Sequence, residues 1–194
     1  MRPDPATMAY TFPLPDPALT DGTVLLREPA ADDVGPVFEA CQDADIQRFT
    51  FIPVPYAREH ARQWVDQAPR RRASGEGLSL VIADARDGDA LLGTVGLLRP
   101  DWPNRSVEVG YWVAPWGRGR GAATRAAGLL ARWAIKDLDF ARIRCHVDVD
   151  NVVSQRVAER AGFAREGVLR SVLEFRGRRW WLVAHSLIAE DLEP

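Results

Sequence analysis

Cysteine and histidine are scarce in this chain, which has 194 residues, two cysteines and three histidines. Cys41 and Cys145 are too few for the disulfide framework of a small secreted domain, so we expect a reducing compartment. His60, His146 and His185 are far apart and show no metal-ligand spacing. The sequence therefore favours neither a disulfide scaffold nor a metal centre.

Long apolar runs and a strong excess of one charge are also missing. No apolar stretch approaches the roughly 18 residues that a membrane-spanning helix needs, and residues 1–20 lack an apolar signal core. The formal net charge is −2, so no overall attraction to nucleic acid or to an anionic membrane is expected. We predict a cytoplasmic protein that binds neither.

The amount of apolar sequence is sufficient for one substantial domain. Hydrophobic residues make up 46% of the chain, an ordinary value for a globular protein. Residues 1–20 carry five of the 14 prolines and are predicted to form an irregular N-terminal arm, followed by a single domain over residues 21–190. Such an arm is either disordered or extended over the domain, and the sequence leaves both open.

Hydrophobic periodicity and turn residues predict strands and helices in mixed order. Hairpins beside helical crossovers indicate an α/β protein with a mixed sheet rather than a fully parallel one. The predicted strands cover residues 22–27, 77–85, 90–98, 105–113, 140–147, 163–175 and 178–188, and the predicted helices cover residues 32–41, 57–73, 122–136 and 151–160.

A turn rich in glycine and arginine lies between the fourth predicted strand and the next helix, within residues 111–126. The first N–H groups of a helix have no intrahelical partner and carry the positive end of its dipole, so they bind anions. Glycines let a ligand approach the backbone closely. Because Arg118, Arg120 and Arg125 oppose the dipole, we expect a bound polyanion to offset their cost.

The glycine spacing alone permits other interpretations. Gly117-x-Gly119-x-x-Ala122, followed by Asp139, partly satisfies a dinucleotide-binding fingerprint, as in a nicotinamide-dependent oxidoreductase. That fingerprint usually opens the first βαβ unit of a parallel sheet, whereas four predicted strands precede it here. A glycine turn without any ligand is the remaining alternative.

Two motifs resemble those of one family. Residues 118–123, Arg-Gly-Arg-Gly-Ala-Ala, resemble the acetyl-CoA loop Gln/Arg-x-x-Gly-x-Gly/Ala of the GNAT N-acetyltransferase superfamily. Residues 151–163 contain Asn-x-x-Ser and then Glu-Arg-Ala-Gly-Phe, which resembles a segment of the RimJ/RimL-like branch, the ribosomal-protein N-terminal acetyltransferases and their relatives. The resemblance extends over about residues 20–190.

The resemblance implies a fold and a reaction. The implied fold is a seven-stranded, mostly antiparallel mixed sheet, splayed between strands 4 and 5, with helices on both faces. The implied reaction is acetyl transfer from acetyl-CoA, without a metal, to a primary amine that attacks directly. The implied acceptor is a protein N-terminal α-amine or a small-molecule amine. Trp180 and Trp181 point to opposite faces of the last strand, so one suits the core and the other a homodimer partner or the acceptor cleft.

The resemblance also implies which residues contact acetyl-CoA. The loop amides would bind the pyrophosphate, and the end of the fourth strand would hold the thioester oxygen. Asn151 would face the cofactor, although a plain helix N-cap is its alternative role. The implied cofactor-binding residues are Trp112, Val113, Arg118, Gly119, Arg120, Gly121, Ala122, Ala123, Thr124 and Asn151.

Three residues are candidates for the chemistry. Glu174 matches a glutamate that RimL-like enzymes use as base, and Glu108 on the fourth strand is the alternative. Many superfamily members use a tyrosine as acid where this chain has Ala158. The serine of Asn-x-x-Ser, Ser154, is then implied as the donor to the leaving thiolate. The missing tyrosine also leaves open a non-catalytic acyl-CoA-binding sensor.

Overall fold

The computed structural model describes residues 10–192, which form one seven-stranded sheet and five α-helices within that range. The strand order is β1-β2-β3-β4-β5-β7-β6, and β4 with β5 is the one parallel pair of this sheet. The predicted α/β class and mixed sheet are therefore confirmed. The strands are β1 (Val24–Arg27), β2 (Gly77–Asp84), β3 (Leu91–Asp101), β4 (Ser106–Val113), β5 (Arg142–Asp148), β6 (Ala164–Phe175) and β7 (Arg178–Ile188). The helices are α1 (Val34–Ala40), α2 (Ala44–Phe49), α3 (Arg58–Ala73), α4 (Ala122–Lys136) and α5 (Val152–Arg160).

Helix α2 is the one α-helix of the described chain that the sequence analysis missed. Its N-cap is Asp43, whose carboxylate accepts hydrogen bonds from the amides of Asp45 (3.1 Å) and Ile46 (3.0 Å). An aspartate is a common N-cap residue, so Asp43 could have indicated the start of this helix. The helix has only six residues, so it shows too little periodicity to be recognised by pattern.

Alternation along β4 and β5 sends their side chains to two different environments. Val107 and Val109 of β4, with Ile143 and Cys145 of β5, belong to the main core together with residues of α4 and α5. The even-numbered side chains between them point to the other face, where Trp112 packs against a second core beneath α1 and α3. The chemistry described below divides between these two faces.

The described part of the predicted N-terminal arm packs onto the domain. Phe12 is fully buried, with its ring centroid 4.8 Å from that of Trp102 and 6.1 Å from that of Phe140. The Phe12 amide donates to the carbonyl oxygen of Arg72 at 3.0 Å. Residues 1–9 of the arm lie outside the described residues, and the domain boundary near residue 20 stays a prediction.

Removing the buried ring of Phe12 is expected to destabilise the whole domain. Truncating a buried phenylalanine removes apolar burial and leaves a cavity, so Phe12→Ala should lower the free energy of unfolding by about 3–5 kcal/mol. Denaturant unfolding measures this change. The control is Leu14→Ala, since Leu14 lies in the same segment but is 36% exposed. Equal, small losses in both variants would show that the arm does not support the core.

Three expectations drawn from composition can be compared with residues 10–192, the part of the chain that the structure describes. No helix between residues 10 and 192 is both long and apolar enough to span a bilayer. Over the same range, no three His, Cys, Asp or Glu side chains are placed to share a metal ion. Cys41 and Cys145 are buried free thiols. A cytoplasmic location stays a prediction.

Candidate active site

The sheet opens between β4 and β5. Their parallel pairing covers only Ser106–Glu108 with Arg142–Arg144, although β4 continues to Val113 and β5 to Asp148. Residues 109–113 of β4 and 145–148 of β5 do not pair with each other, and we call these two segments the fork. The predicted splay is therefore confirmed, and it exposes backbone groups that an extended ligand can pair with like an added strand.

The direction of each β4 amide follows from one hydrogen bond. The Ala114 N–H donates to the carbonyl oxygen of Leu92, at the β3 side, with an N–O distance of 2.9 Å. Because successive N–H groups of a strand alternate in direction, the amide of Trp112 also faces β3 and that of Val113 faces the fork. Trp112 and Val113 are the residues predicted to contact the cofactor at the end of this strand, and of the two only Val113 therefore presents its N–H to the fork. The amides of Val109 and Tyr111 face the same way.

A cavity of about 1030 Å³ passes through the fork. The glycine loop lies at one end, and the side chains of Phe51 and Trp180 line the other part. Arg120 and Glu174 are the two predicted site residues absent from its lining. The predicted residues that line it are Glu108, Trp112, Val113, Arg118, Gly119, Gly121, Ala122, Ala123, Thr124, Asn151 and Ser154.

The glycine loop presents a series of unpaired amides. Gly119 and Gly121 have φ values of 77° and 73°, which glycine adopts without the strain of a side chain. Gly121 is the N-cap of α4 and supplies no capping side chain. Within residues 10–192, none of the amides of residues 119–124 donates a hydrogen bond. Such a run at a helix N-terminus is the geometry that binds phosphate groups.

The charge of the three loop arginines is offset within the protein itself, so a bound polyanion is not needed for that purpose. Each of the three guanidinium groups already has a carboxylate partner, contributed by an earlier segment of the chain. The backbone amides, rather than free arginine charge, are therefore the groups that remain for an anion. The pairs are Arg118 with Asp43 (2.6 Å), Arg120 with Asp84 (3.2 Å) and Arg125 with Asp21 (2.5 Å).

On the face of β4 and β5 that packs against α4 and α5, Tyr111 holds Ser154. The Ser154 hydroxyl donates to the Tyr111 oxygen at 3.0 Å, and the Tyr111 hydroxyl donates to the Ser154 carbonyl oxygen at 3.1 Å. The Asn151 side chain accepts the Ser154 amide at 3.0 Å, so its predicted capping role is present. Burial raises the pKa of Tyr111 well above its usual value, which keeps the hydroxyl protonated.

Tyr111 was not predicted from the sequence, although Ala158 stands where many superfamily members have a tyrosine. Strand alternation could have indicated it, because Tyr111 points to the same face of β4 as Val107 and Val109. That is the face that α5 covers. A tyrosine hydroxyl thus reaches the start of α5 from the sheet instead of from the helix itself.

On the opposite face, the Glu108 carboxylate forms hydrogen bonds with Arg99 and His146. Its carboxylate lies 3.2 Å from Nε of Arg99 and 3.2 Å from Nδ1 of His146. Burial raises the pKa of Glu108, but the hydrogen bonds from His146 and Arg99 outweigh that effect and hold the pKa below its usual value. Glu108 is therefore a carboxylate with a weakened affinity for protons. The pairing with His146 was not foreseen.

Glu174 lies away from the cavity. Its side chain is 65% exposed, and its nearest cationic partner is Arg179 at 4.0 Å. The adjacent Leu173 lines the cavity, because neighbouring residues of a strand point to opposite faces. The geometry gives no support to the predicted role of Glu174 as base.

Three carboxylates that line the cavity, those of Asp45, Asp148 and Asp150, are paired with arginines. Asp148 and Asp150 both accept from Arg178, at 3.0 and 3.1 Å, and Arg48 approaches Asp150 at 3.4 Å. Asp45 lies 3.8 Å from Arg118. Trp180 is buried and lines the cavity, whereas Trp181 is 45% exposed and does not. These carboxylates therefore add little unbalanced negative charge to the cavity.

Comparison with known proteins gives one consistent family. The family model described as an acetyltransferase (GNAT) domain matches residues 23–164. A Bacillus subtilis protein named as a candidate ribosomal N-acetyltransferase, YdaF, is 32% identical over 150 residues, which are 77% of this chain and 73% of that protein.

Solved structures agree with this result at the level of the fold. Mycobacterium smegmatis RimJ in complex with CoA-disulfide superposes with a TM-score of 0.77 at 23% identity, covering 88% of this chain and 84% of that one. The microcin C7 self-immunity acetyltransferase MccE, in complex with acetyl-CoA and AMP, also gives 0.77 at 22% identity, covering 89% and 99%. With the fork and the glycine loop in place, the chain belongs to the GNAT acetyltransferase family, as an N-acetyltransferase of its RimJ/RimL-like branch.

Proposed function

We propose that this enzyme transfers the acetyl group of acetyl-CoA to the α-amine at the N-terminus of a peptide or protein. The observation that carries the proposal is the continuity of the fork with the unpaired amides of residues 119–124 along one cavity. One end suits a pyrophosphate, the unpaired edge of β4 suits the amide-containing pantetheine arm, and the other face offers an apolar entrance for the acceptor.

The loop and the fork divide the work of binding acetyl-CoA. Amides of Gly119 to Thr124 would hold the pyrophosphate, with Arg118 beside them in the cavity lining. The amides of Val109, Tyr111 and Val113 face the fork, where the thioester oxygen gains negative charge during attack. Fixed N–H donors at that position stabilise the transition state without reorganisation.

In the proposed reaction the amine nitrogen attacks the thioester carbonyl carbon directly. A C–N bond forms, the C–S bond breaks, and the thiolate of CoA leaves on the face of α5. The Ser154 hydroxyl, which donates to the Tyr111 oxygen in the structure, would turn its single hydrogen to that thiolate, which then takes up a proton from solvent. Asn151 supports this arrangement by fixing the Ser154 backbone.

Charge around the cavity favours an α-amine over a polycation as acceptor. Polyamines and aminoglycosides need unpaired carboxylates, and Asp45, Asp148 and Asp150 are each paired with arginine. An α-amine has an ordinary pKa of about 7.7–8.0, so a large share of it is neutral at physiological pH. A small-molecule amine with one amino group is the second candidate, because the apolar entrance admits it equally well.

Acetyl-CoA and CoA are both expected to raise the unfolding temperature, and NADH is not. A ligand at about 100 times its Kd stabilises a fold by about 2.7 kcal/mol. For a domain of this size the midpoint should rise by about 5–10 °C. Thermal unfolding with each compound measures the effect. A shift with NADH alone would favour the oxidoreductase interpretation of the glycine loop.

An acceptor panel tests the transfer itself. The wild type, with acetyl-CoA, should acetylate a neutral peptide at its free α-amine, as detected by mass spectrometry. The same peptide with a blocked N-terminus and one lysine should remain unmodified, and spermidine should react more slowly. Faster reaction of spermidine would contradict the α-amine assignment. Binding of acetyl-CoA without transfer to any amine would instead support the non-catalytic sensor.

A further inference from the structure

We propose that His146 is the general base of the transfer and that Glu108 is the residue that positions it. This inference rests on the proposed function and goes beyond it, because it assigns proton removal from the acceptor amine to an imidazole rather than to either glutamate candidate.

His146 lies at the point where the sheet opens, on the acceptor face. The last β4–β5 pair joins Glu108 to Arg144, and His146 follows two residues later on the same face of β5. Its side chain is 20% exposed and lines the cavity. Tyr111 and Ser154 lie on the other face of the same strands. An amine entering from the acceptor face would therefore meet His146, while the thiolate departs toward Ser154.

The pairing with Glu108 fixes which ring nitrogen is basic. A carboxylate has no proton to donate, so Nδ1 of His146 must carry the hydrogen that Glu108 accepts at 3.2 Å. The neutral ring then has its lone pair on Nε2. Within residues 10–192, Nε2 makes no hydrogen bond and is not among the buried unpaired atoms. A neutral imidazole base whose other nitrogen is held by a carboxylate is the arrangement found in the Ser-His-Asp triad.

The proton balance of the step is complete without a further reactant. As the amine nitrogen bonds to the thioester carbon, its proton passes to Nε2 of His146, giving an imidazolium that Glu108 stabilises. The C–S bond breaks and the CoA thiolate takes a proton from solvent near Ser154. The imidazolium then releases its proton to solvent, which restores the neutral ring. Arg99 keeps Glu108 ionised throughout by bonding to the same carboxylate.

The charged groups around His146 define the expected pH dependence. A general base must be neutral to accept a proton, so activity should fall when acid protonates the His146 ring. Replacing Glu108 by glutamine removes a negative charge that favours the imidazolium, so the fall should move to lower pH. The titratable and charged groups facing His146 are Glu108 from β4, Arg99 from β3, Glu166 from β6, Arg178 from β7, and Arg144 and Asp148 on its own strand.

The test is the rate of peptide acetylation by His146→Gln across pH 5.5–9. We expect kcat near pH 7 to fall by about 100-fold, with the Kd for acetyl-CoA within about twofold of the wild type. The fall of activity at low pH, which is the acid limb of the pH profile, should disappear. His60→Gln is the matched control, because His60 caps α3 through the Ala57 amide and lies outside the cavity lining. It should retain the wild-type rate and profile.

Glu108→Gln separates a positioning role from a merely structural one. We expect a fall in kcat of about tenfold and a shift of the acid limb to lower pH. A variant that only loosens the fold would lower the unfolding temperature and leave the limb in place. As a second readout, added imidazole should restore part of the activity of His146→Ala and leave His60→Gln unchanged.

The outcomes distinguish this inference from the proposed function. A wild type that binds acetyl-CoA but acetylates no amine would overturn the proposed function, and the base assignment with it. An active wild type whose His146→Gln variant keeps its kcat within threefold and keeps the acid limb would overturn the base assignment alone.

Discussion

Gly121→Trp is expected to weaken acetyl-CoA binding by about 100-fold, equivalent to about 2.7 kcal/mol. Gly121 has φ 73° at the N-terminus of α4, and a Cβ atom there would meet only Nε of Arg125, at 3.8 Å. The Cβ atom therefore has room, and we expect the indole to extend over the amides of residues 119–124. The pyrophosphate would have to displace it. Calorimetric titration with acetyl-CoA measures the change.

Gly22→Trp is the matched control for backbone strain. Gly22 has φ 78°, and a Cβ atom there would meet nothing within 4 Å. It lies before β1 and outside the cavity lining. Both variants carry the cost of a side chain at positive φ, about 1–2 kcal/mol of stability. Only Gly121→Trp should lose affinity. Equal affinity of the two variants would place the pyrophosphate away from this loop.

Ser154→Ala is expected to lower kcat by at least about tenfold, equivalent to about 1.4 kcal/mol, while acetyl-CoA binding stays intact. The hydroxyl would stabilise the thiolate only as the C–S bond breaks, so its loss affects turnover and not ground-state binding. Tyr111→Phe should give a fall of similar size, because the phenol holds the Ser154 hydroxyl at 3.0 Å. The double variant should be little slower than either single variant, since the two hydroxyls act as a unit.

Steady-state rates with saturating peptide and acetyl-CoA provide the measurement. Ser171→Ala is the control, because Ser171 on β6 accepts a hydrogen bond from Arg179 on β7 and lies outside the cavity lining. It should keep the wild-type rate. A kinetically silent Ser154→Ala would remove the thiolate role from Ser154, and strictly additive losses would separate it from Tyr111.

Local sequence signals were sufficient for most of the architecture. Alternating hydrophobic residues and turn glycines predicted all seven strands, because strand periodicity and hairpin turns are encoded within a few residues. The glycine loop was also recognisable in the sequence, because three glycines stand within five residues just before a predicted helix. Helix α2 was missed because six residues carry little periodicity.

The chemistry of the site could not be predicted from local signals. Glu108 meets His146 across 38 residues, and Tyr111 meets Ser154 across 43. Both pairings depend on the parallel register of β4 and β5, which no short pattern specifies. Glu174 was predicted as the base from its position in a family motif. Its side chain points to solvent, because the neighbouring Leu173 occupies the cavity face of the strand. The carboxylate partners of the loop arginines likewise come from distant segments.

The most direct test of the account is a crystal structure of the protein with acetyl-CoA. We expect the pyrophosphate on the amides of residues 119–124 and the pantetheine arm along the unpaired edge of β4. The thioester should then lie in the fork, with His146 on one face and Ser154 on the other. Acetyl-CoA bound outside the fork, or with its thioester turned away from these two residues, would contradict the account.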